Sequence, residues 1–255
     1  MNQDSNIVDW NSRFSTQAMW TKQLRDFLIF QLGFHSRSKI LEVGCGTGVI
    51  LLDLSEKLNS SPVGIDISFR NVVTGKNLQS SIKVICSNVY DLPFECNSYD
   101  FVVCHYFLLW LKQPVLALNE CIRVLKPSGY AIAFAEPDYS ARIDYPDLFE
   151  DLAKLQTKSL QAQGVNITCG RNLPRLFSEA GFEDIQFGLS GFQIPPRTIP
   201  SSWDSEWEIL EYDLQLGSNQ IDVQAYRLSD EQERSKGRRV SWVPTFYAYG
   251  KKGKL

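Results

Sequence analysis

The chain has 255 residues, 44% of them hydrophobic, which suffices for one large α/β domain or a domain with a modest cap. Its 26 Lys and Arg against 29 Asp and Glu give a formal charge of −3, no footprint for nucleic acid beyond what a local basic patch would supply. No apolar run reaches membrane-spanning length, the first residues (Met-Asn-Gln-Asp-Ser-Asn) lack the pattern of a secretion signal, and six cysteines without C-x-x-C pairs predict reduced thiols, a cytoplasmic location and no zinc site.

Residues 1–12 are polar. A helical pattern then runs from Phe14 to Leu32, with Phe14, Ala18, Leu24, Phe27, Leu28 and Leu32 as inward positions. The stretch that organises the chain follows. Lys39-Ile40-Leu41-Glu42-Val43 is an apolar strand that ends in Gly44-Cys45-Gly46-Thr47-Gly48, and Val49 to Leu58 reads as a helix. A strand, a tight turn and a helix N-terminus make a place where a ligand can approach bare backbone. The spacing is G-x-G-x-G after Glu42, and Val49 stands where G-x-G-x-x-G needs its third glycine, which tells against a nicotinamide or flavin fold.

A second short strand, Val63-Gly64-Ile65-Asp66-Ile67-Ser68, ends in an acid suited to bidentate hydrogen bonding to two ribose hydroxyls; a helix cap or a solvated acid is the competing reading of Asp66. Strands are predicted near 39–44, 62–66, 82–87, 100–105 and 129–136, and helices near 47–58, 69–80 and 114–125, the last opened by Pro114. This alternation predicts a parallel sheet covered on both faces. Pro127-Ser128-Gly129 reads as a turn. Beyond it come a helix from about 146 to 163, another opened by Gly170-Arg171-Asn172-Leu173-Pro174, a strand at 184–190, and a last strand from Val240 to Gly250. An insertion of roughly 196 to 237 reads as two helices; its acids (Asp204, Glu206, Glu208, Glu211, Asp213) suit either a solvated helix face or a cap for a cationic substrate.

The glycine turn and Asp66 resemble the first two motifs of the class I S-adenosylmethionine (SAM)-dependent methyltransferases. The resemblance continues at Ser87-Asn88-Val89-Tyr90-Asp91-Leu92-Pro93-Phe94, at Tyr99-Asp100-Phe101-Val102-Val103-Cys104, and at Arg123-Val124-Leu125-Lys126-Pro127-Ser128-Gly129-Tyr130, in the family's order over residues 38–136. It implies a Rossmann-like three-layer sandwich with a seven-stranded, mostly parallel sheet of order 3-2-1-4-5-7-6, the seventh strand antiparallel, under a helical lid and cap. It further implies an amino-terminal lid over 1–36, a SAM-binding core over 37–136 and a substrate-side half over 137–255. Carried over by motif, Gly44, Cys45 and Gly46 offer backbone to the methionine half of SAM, and Glu42 orients the loop or reaches the ammonium. Asp66 holds the ribose, Ile67 packs on the adenine, Asn88 stands where the family often has Asp at the adenine amine, and Val89 supplies backbone. Arg13, Gln17, Trp20 and Arg25 of the lid meet the carboxylate or the acceptor, or else are packed or solvated.

On the acceptor side, Cys104, His105 and Tyr106 end the fourth strand beside the expected methyl position; His105 is the natural general base, unless it only borders the methionine half. Tyr139, Arg142 and Asp144 follow the fifth strand, and Trp110 and Trp203 are candidate walls of an apolar pocket or simply core. No Asn/Asp-Pro-Pro-Tyr/Phe signature, Pro-Cys pair or magnesium-binding carboxylate cluster occurs. The expected reaction is metal-independent methyl transfer from SAM to an O, N or C nucleophile of a small molecule, leaving S-adenosylhomocysteine. A non-catalytic SAM-binding module, a tRNA or rRNA methyltransferase, and more distantly a nicotinamide oxidoreductase stay open from sequence alone.

Overall fold

The structure, a computed structural model, describes residues 9–190, 199–216 and 221–254. Two helices open it, α1 (Trp10–Trp20) and α2 (Lys22–Gln31). The single helix expected over 14–32 is therefore divided at Thr21, whose φ of −104° and ψ of 5° leave the helical range. The Thr21 hydroxyl accepts from Arg25 Nη1 at 2.9 Å, a local side-chain bond that competes with helix propagation. Asp9 caps α1 by accepting from the Asn11 and Ser12 amides.

The alternating region follows as β1 (Ile40–Val43), α3 (Val49–Leu58), β2 (Val63–Asp66), α4 (Phe69–Leu78), β3 (Lys83–Cys86), β4 (Tyr99–Cys104), α5 (Pro114–Val124) and β5 (Leu125–Pro137). Then come β6 (Ile143–Tyr145), α6 (Asp147–Ala162), α7 (Cys169–Glu179), β7 (Glu183–Ser190), α8 (Trp203–Leu216), α9 (Val223–Ser235), β8 (Val240–Trp242) and β9 (Thr245–Lys251). The seven-stranded sheet runs β3-β2-β1-β4-β5-β9-β7, with β9 antiparallel to both of its neighbours. Counted within that sheet, this is the expected 3-2-1-4-5-7-6. The strand expected over 240–250 is in fact two: Pro244 has no amide to donate, and β8 leaves the main sheet to pair with β6.

Each sheet face buries its own apolar set, because side chains alternate along a strand. Leu41, Val43, Val102, Cys104, Ala131 and Ala133 pack under α5 and α7. Ile40, Phe101, Val103, Ile132 and Phe134 pack under α2 and α3, with the Phe34 and Phe101 rings stacked at 3.7 Å. Burying a side chain such as Phe134, wholly hidden from solvent, contributes about 1.5–3 kcal/mol. A separate cluster of Phe149 and Leu152 (α6) with Trp207 and Leu214 (α8) holds the helical cap on α6. The sheet thus brings the carboxyl ends of β1, β2, β4 and β5 to one edge, and α1 and the cap close over that edge.

Candidate active site

The turn after β1 is built for close approach. Gly44, Gly46 and Gly48 all have positive φ (70°, 54° and 84°), a region that side-chain-bearing residues rarely adopt. A Cβ at Gly44 would stand 2.0 Å from the Phe107 ring, and one at Gly46 would stand 2.7 Å from Phe14. The lid helix α1 therefore lies on the loop, and Thr47 Oγ1 adds a 2.7 Å hydrogen bond to Asn11 Oδ1. Asp66 braces the loop from β2: its carboxylate accepts from the Gly46 amide and the Ser68 amide, both at 2.8 Å.

Several features of this edge fit SAM. The buried Glu42 Oε2 has no hydrogen-bond partner, and burial pushes the Glu42 carboxyl well above its usual range, with the Arg25 guanidinium opposing. An ammonium would satisfy that oxygen. Ile67 (75% exposed) and Phe69 (69% exposed) present bare apolar surface beyond Asp66, where an adenine would cover it. Asn88 turns its Oδ1 to the Tyr90 amide at 3.0 Å, so one acceptor lone pair of the amide is committed locally. Val89 is buried beneath it. Bound here, SAM would supply an electrophilic methyl group on a sulfonium.

The other expected residues divide. Cys45 is buried against Gly64 and Leu51, and its thiol is pushed up by burial. The Cys104 side chain faces away from the loop, into the packing between sheet, α5 and α7 with Cys121 and Cys169; only its backbone is on the site side. Arg25 is 2% exposed and fully engaged, with Asp53 at 2.8 Å, the Ala18 carbonyl at 3.0 Å and Thr21. It clasps α2 to α3 and has no reach to spare for a ligand. Gln17 is half-buried on α1. Trp110 is half-exposed, away from the cavity described below.

His105 Nε2 lies 2.8 Å from Thr21 Oγ1. The same hydroxyl accepts from Arg25 and lies 3.4 Å from the Gln17 and Ala18 carbonyls, so His105 is tied into the junction of α1 and α2. Burial and the Arg25 charge pull the imidazole down to about 3, so it is neutral near pH 7. A ring that takes up a proton only near pH 3 is a weak general base near neutral pH. Tyr106 follows at φ 51°, an uncommon conformation for a large side chain. Its phenol is raised above its usual range by burial, with Tyr139 and Thr245 beside it.

What holds Tyr106 there is a residue not picked out from the sequence. Glu136, on β5 and wholly buried, accepts from the amides of Phe107 (2.9 Å), Leu108 (2.8 Å) and Leu109 (3.1 Å). The Tyr106 amide itself donates to Ala135 O at 2.8 Å. Burial raises the Glu136 carboxyl to about 7, against the pull of those three amides. An acid inside the apolar run Ala131-Ile132-Ala133-Phe134-Ala135-Glu136 was the signal available: it must find buried donors.

Beyond Tyr106 lies a cavity of about 140 Å3 between α1, the ends of β4 and β5, α6 and the cap. Arg13, Trp20, Tyr106, Tyr139, Arg142 and Trp203 all line it, so the structure brings six of the expected residues together. Its floor is a charged network. Arg142 pairs with the buried Asp144 and reaches Gln156 at 2.6 Å; Arg239 bridges Asp144 (2.8 Å) and Asp230 (2.7 Å); Arg234 pairs with Asp230 at 2.7 Å; Trp203 Nε1 donates to Asp230 at 2.5 Å. Among the described residues, no group of three or more His, Cys, Asp or Glu side chains could hold a metal ion, and no helix is long and apolar enough to cross a membrane.

Residues 41–133 match a methyltransferase domain family. Demethylmenaquinone methyltransferase from Staphylococcus aureus is 28% identical over 191 residues, covering 68% of this chain and 78% of that protein. Among solved structures, the YcgJ protein from Bacillus subtilis superposes with a TM-score of 0.60 at 15% identity, over 92% of this chain and all of that one. Phosphoethanolamine N-methyltransferase 2 from Haemonchus contortus, solved with S-adenosylhomocysteine, gives 0.59 at 13% identity, over 97% of this chain and 58% of its own. With the five motifs, the glycine cradle, the sheet order and the domain match in agreement, the chain carries a methyltransferase domain over residues 41–133, and its fold and motif order are those of the SAM-dependent methyltransferases it resembles.

Proposed function

We propose that the chain transfers the SAM methyl group to a small molecule held in the cavity beyond Tyr106. The observation that carries this reading is the cavity itself, lined by aromatic side chains and bounded by Tyr106, Pro137 and Tyr139 at the ends of β4 and β5. In this reading Gly44, Cys45 and Gly46 give backbone contacts to the methionine half, Glu42 Oε2 faces the ammonium, and Asp66 takes the ribose hydroxyls. Ile67 and Phe69 flank the adenine, and Asn88 and Val89 border its edge. The chain's own contribution to rate is positional: it holds the acceptor nucleophile in line with the methyl and keeps water out. His105 serves as a neutral group at the edge of the site, and Tyr106 sets the wall against which the acceptor rests. The likeness to an enzyme named for demethylmenaquinone supports a small-molecule acceptor, and six free cysteines support a cytoplasmic setting.

Calorimetric titration with SAM and S-adenosylhomocysteine tests the cofactor half. Micromolar binding is expected, weakened at least about tenfold by Asp66→Ala because two charge-assisted contacts are lost, with no response to NAD. A folded chain that binds neither ligand would sink the proposal. Transfer of label from methyl-labelled SAM to added small acceptors then separates an enzyme from a SAM-binding module.

A further inference from the structure

Four guanidinium groups line the cavity, and they are not alike. Arg142, Arg234 and Arg239 are each paired with Asp144 or Asp230. Arg13 is different: among the described residues it forms no ion pair and donates no side-chain hydrogen bond. Its guanidinium instead stacks over the Trp20 ring, 5.1 Å from the centroid. Its charge reaches inward, toward the phenols of Tyr106 and Tyr139. The neighbouring acid within its field, Asp213, is buried and hydrogen-bonded by Gln156 at 2.9 Å. A half-buried cation without a partner, at the inner end of an aromatic box, is a poor arrangement unless a ligand completes it.

We propose that the acceptor is an aromatic compound carrying one ionised oxygen, a carboxylate or a phenolate, with its ring against Trp20, Tyr106, Tyr139 and Trp203 and that oxygen on Arg13. The aromatic walls supply area and ring stacking; the guanidinium supplies a planar fork for an oxyanion. The inference rests on the methyltransferase reading of the same cavity, but it moves Arg13 from the cofactor to the acceptor. One lining acid, Glu206, forms no ion pair among the described residues either, and accepts from the Ser202 hydroxyl at 2.5 Å. A second negative charge in this space sets the site against dianionic ligands such as phosphate esters. Where the bound oxygen is itself the nucleophile, its proton has left to water before transfer. The oxygen lone pair then forms the O–CH3 bond, the S–CH3 pair returns to sulfur, and the products are S-adenosylhomocysteine, its sulfur neutral, and the aryl methyl ether from a phenolate or the methyl ester from a carboxylate.

The test uses the full chain saturated with S-adenosylhomocysteine and follows tryptophan fluorescence. 2-Naphthoate and 2-naphthol are the anionic probes, 2-naphthalenemethanol the neutral one, and 2-naphthyl phosphate the dianionic one. Naphthoate, or naphthol bound with the absorbance of its ionised form, is expected to bind at least about tenfold tighter than the neutral probe. Ionised naphthol identifies the phenolate source, and naphthoate alone the carboxylate source. Arg13→Gln should erase that preference, Arg13→Lys should keep part of it, and S-adenosylhomocysteine affinity should be unchanged in both. The proposal falls if the neutral or the phosphate probe binds as tightly as the tighter of the two anionic probes. It also falls if Arg13→Gln weakens S-adenosylhomocysteine and leaves naphthoate alone, which would return Arg13 to the cofactor carboxylate. Failure of the wild-type chain to bind S-adenosylhomocysteine would instead strike the methyltransferase reading, and the naphthoate comparison can still be run without it.

Discussion

Burial and the Arg25 guanidinium hold the His105 imidazole down to about 3, while burial lifts the Glu136 carboxyl to about 7. The two residues face the same turn, and their effects on stability oppose each other. An unfolded His takes up a proton below about pH 6.5, which folded His105 refuses, so this term is full above that pH and shrinks as pH falls toward 3. Folded Glu136 keeps a proton that an unfolded Glu releases near pH 4.3, so its term is full below that value and is lost as pH rises through 7. Between about pH 4.5 and 6.5 the slopes run against each other, each on the order of 1 kcal/mol per pH unit. His105→Gln, which keeps an acceptor for Thr21, should therefore leave a protein whose urea midpoint falls as pH rises through that window. Glu136→Gln should leave one whose midpoint climbs. Identical pH profiles for wild type and both variants would refute the assignment of these two groups. Asp66 could be read from the sequence because its spacing from the glycines is fixed by one helix. The state of His105 could not, because it depends on Thr21 and Arg25, residues 84 and 80 positions away that only the folded lid brings alongside.

The turn after β4 runs from Phe107, which packs on the glycine loop, to the cavity wall at Tyr106, and its shape is held by Glu136 rather than by its own sequence. Three amides converge on one carboxylate, and a fourth from Tyr106 meets β5. Glu136→Ala strands those buried donors, at about 1–3 kcal/mol for each that water cannot reach, so a loss of at least about 3 kcal/mol is expected. Glu136→Gln keeps a carbonyl oxygen in place and should recover a large part of that. Chemical denaturation of the pair measures the difference; an alanine variant as stable as the glutamine variant would mean the turn holds itself. Strands and helices of the core were legible because their apolar periods are clean and glycine or proline marks their ends. The break at Thr21 was hidden in an unbroken helical period, since a side-chain hydrogen bond leaves no mark on hydrophobicity. The three-residue strands β6 and β8 are too short to show a period at all, and they pair across 95 residues.

At the scale of the molecule, the edge proposed for the cofactor belongs to the sheet, and the cavity proposed for the acceptor belongs to what is folded over it. The sheet edge was readable from five motifs in order; the cavity was not, because its walls come from α1, α6, α8 and α9, and no motif links them. What does link them is Asp230. Its carboxylate receives Arg234 from its own helix, Trp203 Nε1 from α8, and Arg239, which continues to Asp144 on β6. Cap and floor thus meet at one buried acid, 1% exposed. Asp230→Ala would leave two buried guanidinium groups short of a counter-charge, a class of change that costs about 3–5 kcal/mol. Since none of the three partners touches the glycine loop or Asp66, the penalty should fall on the cap alone. S-adenosylhomocysteine titration is expected to be unchanged within about twofold, while naphthoate binding and the tryptophan signal of Trp203 are lost together. If both ligands fail in parallel, the cap and the sheet fold as one cooperative unit. If neither changes, Asp230 is not what fastens the lid of the cavity to its floor.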